Sequence, residues 1–479
     1  MSRGGRGLAL AQDDMRAPSS RGAELASAVG PVGSGHERGR RWRWEATSVT
    51  DTERRGVLPL MDYEVRATTS RPEERGGGRP FVLAAFFDGQ PTDGGGYVHK
   101  LGTLRVLSAM QGAALDVVVI CDSAGALKVA TQHGLRGVVQ PRRGWRRILG
   151  ELSGMRFVKI YLGRTLGPRL SPVDRLLGKL KVDLVLFASP DRRAMQLYRH
   201  SYILTILDLA HIEHPEFPEL SMYGEFERRE QLLRETARKA TAIFADSESA
   251  RRLITMHYGV PESRVFAAPF LMSYSLKGFK ADSEVRAAIR KRYGIAEHYI
   301  FYPAQFWPHK NHKYILAGLH LMRQRHGWAP QAVFCGSDKG MLQRVLAFAR
   351  RLAVHDLVRY CGFVPDADIP YLYSGAMALV MPTYCGPNNI PPMEARSLGV
   401  PVCYSDLPAF REHMGSSVRY VDLKDPMSLA DALVSIHDES SLHRDSGVEE
   451  LADLLIAAES QYRQILGEVL TRFRTKILV

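Results

Sequence analysis

The feature that most restricts this chain is an alternation that fills its middle and restarts once. Short apolar runs at 81–87 (FVLAAFF), 116–121 (DVVVIC), 183–187 (DLVLF), 202–207 (YILTIL), 242–245 and 264–267 are separated by one or more helix-sized segments. Nearly continuous apolar strands between helical stretches are what a parallel sheet covered on both faces requires. After a linker at about 269–282 (PFLMSYSLKGFKAD), strands are predicted at 299–302, 331–335, 358–361, 377–381, 401–403 and 418–421. Helices are predicted between them at 312–326, 339–353, 391–398 and 425–437. The class is therefore α/β, with two doubly wound parallel-sheet, Rossmann-like domains in tandem. A last amphipathic helix over 448–473 carries Leu451, Leu455, Ala458, Tyr462, Ile465, Val469 and Phe473 on one face and should pack against the body.

The predicted organisation is an extension over 1–78, an N-terminal domain over 79–270, a C-terminal domain over 283–445 and a C-terminal helix over 446–479. Residues 1–78 hold 12 of the 42 glycines and charged residues without periodicity, which does not build a core. Two readings of that stretch stand side by side: a disordered extension, or a non-native one with Met61 as the start.

Composition removes several classes. Hydrophobic residues make up 45% of the 479, enough for more than one core. No run approaches the roughly 18 apolar residues of a membrane span, and the start has too short an apolar stretch for a signal peptide. Cys121, Cys335, Cys361, Cys385 and Cys403 are odd in number and widely spaced, which argues against a disulfide scaffold or a zinc ribbon. Reduced thiols, mostly in strands, and a cytoplasmic location are expected. The net charge of +13 favours anionic partners without choosing among them.

Two facing doubly wound domains place the carboxyl ends of both sheets at a cleft, where such sheets bind ligands. After the strand at 299–302 comes PAQFWPHKNHKYILAGL (303–319), with Lys310 just before a helix and Asn311 as its candidate N-cap. A lysine beside the positive end of a helix dipole suits a diphosphate. After the strand at 377–381 comes MPTYCGPNNIPPMEARSLGVPV, in which Pro391 and Pro392 fit only the first turn of a helix. Glu394 follows in that turn, where it can accept hydrogen bonds from vicinal hydroxyls or simply complement the dipole.

PAQFWPHKNH, CGFVPDADIPYLY (361–373) and GPNNIPPMEARSLGVPV together resemble the nucleotide-sugar domain of retaining GT-B glycosyltransferases of family 4, the glycosyl transferases group 1. The resemblance covers about 200–440, with three motifs in the family's order and spacing. It implies a GT-B fold and a retaining transfer, without metal or cofactor, of a hexose-like sugar from a nucleoside diphosphate donor. GDP-mannose is a candidate donor, and a saccharide or lipid-linked acceptor in polysaccharide synthesis is the implied partner. In the family's Glu-x7-Glu motif the second Glu, Glu394 here, holds the ribose. The first falls on Gly386, and the family's arginine falls on Gln305. Asn388 and Asn389, followed by Ile390, are the expected substitutes in a variant donor site.

The N-terminal half matches more loosely. DGQPTDGGGYVHKLGTL (88–104) resembles the family's glycine loop, with Gly94, Gly95 and Gly96 as donor-binding candidates. ILDLAHIEHPEFP (206–218) is similar to the family's His-Asp segment, with Leu207 in place of the histidine. Asp208 and His211 remain as candidate catalytic residues beside Lys310, and a structural role for His211 stands as the alternative. Ser247 is expected to be a plain N-cap. Two rival readings are a catalytically silent nucleotide-sugar binder, suggested by Gly386 and Gln305, and a nicotinamide-dependent dehydrogenase using the 94–96 loop.

Residues 141–181 carry eleven Lys and Arg against Glu151 and Asp174, a local excess of nine. Trp145, Ile148, Leu149, Leu152, Phe157, Leu176 and Leu177 are interleaved among them. The segment is a candidate contact for the anionic inner face of a membrane or an ordinary solvated basic face. No nucleic-acid reading module accompanies it.

Overall fold

The computed structural model describes residues 79–90, 95–140, 145–161, 167–271, 276, 279–386, 390–439 and 448–477. All of them belong to one compact unit, Glu64–Val479. The extension over 1–78 lies outside the described residues, as do Gly94, Asn388 and Asn389.

The first sheet is built from β1 (Phe81–Phe87), β2 (Leu115–Cys121), β3 (Arg136–Val139), β4 (Leu184–Phe187), β5 (Ser201–Ile206), β6 (Ala242–Ala245) and β7 (Val265–Ala267), in the order β3-β2-β1-β4-β5-β6-β7. The second contains β8 (Tyr299–Pro303), β9 (Gln331–Cys335), β10 (Val358–Tyr360), β11 (Ala378–Met381), β12 (Val402–Ser405) and β13 (Arg419–Val421), in the order β10-β9-β8-β11-β12-β13. Every strand pair is parallel, with Phe81 opposite Leu115 and Leu83 opposite Leu184 in the first sheet and Tyr299 opposite Gln331 in the second. All seven residues of β1 are buried, as expected for a central strand with helices on both faces.

The strand at 136–139 was not predicted. It is a four-residue edge strand whose Arg136 reaches back to Asp116 at 2.6 Å, and its sequence, RGVV, is too short and too polar at its start to show a period. Helix bounds differ by a few residues: the helix expected at 339–353 runs from Leu342 to Arg351. Asn311 does not cap the helix His312–His326 through its side chain. It stands at the cap position with φ +54° and no side-chain cap bond. Ser247 does cap its helix, its hydroxyl accepting from the Ala250 amide at 3.0 Å.

Each sheet has its own core, and the last helix, Val448–Ile477, returns to the first sheet. Tyr462, Leu466, Val469, Leu470 and Phe473 are buried against β1, β2 and the helix Gly95–Met110. Gly102 on that last-named helix permits the approach of the chain at Leu271, since a Cβ there would lie 2.3 Å from the Leu271 Cβ. His99, one turn earlier, accepts the Leu271 amide at 3.2 Å through Nδ1, and burial lowers its pKa to about 3. Among the described residues no helix is long and apolar enough to cross a membrane.

Candidate functional site

The two sheet domains meet where the segment after β5 touches the loop after β8. That loop is fixed by its backbone: the Tyr302 hydroxyl donates to the Lys310 carbonyl at 2.8 Å, and the Tyr384 amide to the His309 carbonyl at 3.0 Å. The Lys310 ammonium is desolvated, which lowers its pKa, while Cys385 and Asp208 lie close enough to favour its charge. Asp208 follows β5 of the other domain. Its carboxylate accepts from the Ala210 amide at 3.1 Å and faces Arg229 at 3.5 Å.

Glu219 joins the two domains at this point. One of its oxygens accepts from the His309 backbone amide at 3.1 Å and lies 2.7 Å from His309 Nδ1. Burial pushes the Glu219 carboxyl up, but these bonds from His309 outweigh it and hold the pKa below the ordinary value. Phe217 packs on Tyr384 with ring centres 5.4 Å apart, and Cys385 is buried with Ala210 and Leu220. A second carboxylate crosses elsewhere: Glu412 accepts from the amides of Glu248 and Ser249 at 2.5 and 3.1 Å, filling the start of helix Glu248–Tyr258.

The helix Ile390–Ser397 begins against the first domain. Ile390 is buried with Leu276, and a Cβ on Gly95 would lie 3.5 Å from the Ile390 side chain. A Cβ on Gly96 would lie 3.8 Å from Leu207 of its own domain, so Gly95 is the glycine that meets the second domain, in ordinary van der Waals contact. Glu394 lies past the first turn of this helix rather than in it, because the helix starts at Ile390, ahead of both prolines, and it accepts from the Tyr373 hydroxyl at 2.9 Å. Desolvation pushes its carboxyl up to about 7, against the lowering effect of that bond, and Asp366 adds to the rise. Gln305 accepts from the Trp307 indole at 2.9 Å. Gly386 has φ +87°, a conformation that a glutamate would occupy only under strain.

His211 is not on the cleft surface. It is 1% exposed, with Nε2 3.3 Å from Glu230, which also accepts from the Tyr258 hydroxyl at 2.8 Å. Burial lowers its pKa, so the ring is a neutral tie between the 210–213 turn and the helix Glu225–Thr236.

The sequence reading missed Glu219, Tyr373 and an ionic network in the first domain. There Asp88 at the end of β1 binds Lys100 at 2.6 Å and the buried Arg193 at 2.8 Å, and Arg193 also pairs with Asp191 and lies 4.1 Å over the Phe86 ring. Asp88 and Asp191 shortly follow strands, a signal that could have singled them out.

The basic segment divides in two. Leu176 and Leu177 are core residues on helix Pro172–Lys179, whereas the helices Trp145–Gly154 and Arg156–Tyr161 leave Ile148, Phe157, Ile160 and Tyr161 at least 61% exposed. All five cysteines are free thiols, three of them in strands.

Residues 285–448 match the family model described as glycosyl transferases group 1. The chain is 27% identical over 213 residues to the O-antigen chain mannosyltransferase B of Escherichia coli, covering 44% of this chain and 55% of the relative. It is 32% identical over 146 residues to the O-antigen chain mannosyltransferase RfbU of Salmonella typhimurium, covering 29% and 38%. The chain thus spans about half or less of these relatives' own lengths. Among solved structures, Anabaena HepE in complex with UDP and glucose superposes with a TM-score of 0.60 at 14% identity, over 82% of this chain and all of that one. WaaG, a glycosyltransferase of lipopolysaccharide biosynthesis, gives 0.52 at 17% identity, over 80% and 94%. The fold is GT-B, as the motifs implied.

Proposed function

We propose that this chain, whose residues 285–448 belong to the glycosyl transferases group 1, is a retaining glycosyltransferase that takes a hexose-like sugar, with mannose from GDP-mannose as the leading case, from a nucleoside diphosphate. The observation that carries this is a desolvated lysine, Lys310, held by a rigid loop at the junction of the two sheets, with Glu394 as the fifth residue of the neighbouring helix. The difficult step is departure of the diphosphate. A cation fixed in a low-dielectric site stabilises the negative charge that grows as the sugar–phosphate bond breaks, and it needs little reorganisation to do so. Glu394, once ionised, accepts from the two ribose hydroxyls. Asp208 supports the Lys310 charge from the opposite domain, and Gly95, at the start of its helix, and Ile390 bring the two domains together around the donor. The family resemblance supplies the retaining outcome and the independence of metal and cofactor.

The mannosyltransferase names of both relatives support mannose and a polysaccharide product. The acceptor is a saccharide or lipid-linked saccharide, and the enzyme works in the cytoplasm. The exposed apolar side chains on 145–161, set in a basic segment, support contact with an anionic membrane face. A screen of UDP-, GDP- and dTDP-sugars for donor hydrolysis tests the reading. Release of nucleoside diphosphate by the wild type and its loss in Lys310→Ala is the expected result. Binding without turnover would make the chain a silent nucleotide-sugar binder.

A further inference from the structure

A nucleoside diphosphate carries more than one negative charge, and Lys310 supplies a single positive one. The other basic side chains around that loop are engaged or neutral. His309 lies 2.7 Å from Glu219, and burial lowers its pKa. His312 is buried, which lowers its pKa to about 3 and leaves the ring uncharged. The Lys313 ammonium lies 5.8 Å from the centre of the Phe348 ring, on the neighbouring helix Leu342–Arg351. Gln305 has no charge, and its Oε1 is taken by the Trp307 indole.

A second loop is clamped onto this one. Residues 336–341, which follow β9, run beside 304–307: the Phe306 amide donates to the Ser337 carbonyl at 3.0 Å, and Phe306 forms an isolated parallel bridge with Asp338. Gly336, at φ +129°, comes so near that a Cβ on it would lie 2.7 Å from the Ala304 carbonyl oxygen. The Tyr360 hydroxyl holds the Gly336 carbonyl at 2.8 Å. The Asp338 carboxylate is spent within its own turn, accepting from the amides of Gly340 and Leu342 at 2.7 and 3.1 Å. Lys339 therefore stands exposed on a fixed turn, with its ammonium 5.5 Å from the centre of the Trp307 ring. Among the described residues it pairs with no carboxylate. An indole face attracts a cation without neutralising it, so the contact places the charge and leaves it open to an anion. Only the short turn Pro308–Lys310 separates Trp307 from Lys310, and the flexible lysine stem lets the ammonium move from the ring to a phosphate oxygen.

We propose that Lys339 is a second cation of the donor site and, together with Lys310, binds the diphosphate of the nucleotide sugar. The inference rests on the glycosyltransferase reading and adds to it a residue from a loop that the sequence motifs did not mark.

The test uses titration calorimetry of the full chain with GDP, UDP and dTDP, and displacement of the tightest of them by inorganic pyrophosphate. Pyrophosphate has neither base nor ribose, so it reports the phosphate contacts alone. Lys339→Met keeps the stem and loses the charge. It should weaken pyrophosphate and the nucleoside diphosphate by the same factor, about tenfold, the effect of one charged hydrogen bond. Lys339→Arg, which keeps the charge, should bind both near the wild-type level. Since Lys339 is exposed, both variants should melt with the wild type. Unchanged nucleotide binding in Lys339→Met would overturn the inference. So would a loss for the nucleoside diphosphate with normal pyrophosphate displacement, which would put the lysine on base or ribose, or an equal loss in Lys339→Arg, which would trace the effect to the shape of the turn. A wild type that binds none of the nucleotides and hydrolyses no donor would remove the glycosyltransferase reading and this inference with it, whereas a wild type that does both, beside an unaffected Lys339→Met, would remove Lys339 alone.

Discussion

The Lys310 loop and the Arg193 network both hold a desolvated cation at the carboxyl ends of strands, Lys310 half-buried and Arg193 buried, and they treat that cation in opposite ways. Arg193 is enclosed by the carboxylates of Asp88 and Asp191, so that burial, which disfavours its charge, is overcome and its pKa rises. For Lys310 the balance goes the other way: Asp208 and Cys385 only partly offset burial, and its pKa falls. A cation already neutralised by carboxylates serves the architecture. The desolvated Lys310, whose pKa falls, lies instead at the junction of the two sheets, where a donor's phosphates are proposed to sit.

The contrast can be broken most sharply by stability. Asp88→Ala with Asp191→Ala strips a buried guanidinium of both carboxylates and should cost about 3–5 kcal/mol in urea unfolding, whereas Lys310→Ala should leave the transition nearly unmoved. Equal costs would erase the distinction. By turnover the order reverses. Lys310→Ala should lower donor turnover on the order of 100-fold with donor saturating, because its charge acts on the leaving phosphate. Unchanged turnover would remove Lys310 from the chemistry.

Glu394→Gln should weaken donor binding about tenfold and change the chemical step less, since ribose contacts are shared by ground and transition states. A drop in Tm with normal nucleotide affinity would reduce Glu394 to its structural bond with Tyr373. Its pKa of about 7 adds a pH dependence. Hydroxyl donors bind the ionised carboxylate, so donor affinity should rise with pH through the region around 7 in the wild type and stay flat in Glu394→Gln. Stability has the opposite sign. Between pH 4.5 and 7 the folded state holds a proton that the unfolded chain has lost, so this group's contribution falls as pH rises. Calorimetry and melting curves at pH 6 and 8 check both.

The smallest effect concerns the basic segment. Ile148→Asp with Phe157→Asp should reduce co-sedimentation with acidic vesicles at physiological salt and leave donor hydrolysis unaltered. Identical vesicle binding by wild type and variant would reject membrane contact through this face.

What the sequence determined by itself follows from local chemistry. Strands buried on both faces must be apolar along their whole length, so the two sheets were legible from their composition, and the loop motifs singled out Lys310 and Glu394 as candidates. The edge strand Arg136–Val139 escaped because four residues with one open side leave no period. Asn311 misled because its type suits a cap, while the tight turn Pro308–Lys310 before it fixes a left-handed backbone instead. The tertiary structure alone decided what desolvates and compensates each charge. Glu219 meets His309 across 90 residues, Arg193 meets Asp88 across 105, and Tyr373 reaches Glu394 from another helix. It also decided that Leu176 and Leu177 belong to the core while Ile148 and Phe157 face outward. A pKa or a cavity depends on what lies within a few ångströms, and residue spacing carries no record of neighbours that only folding brings there.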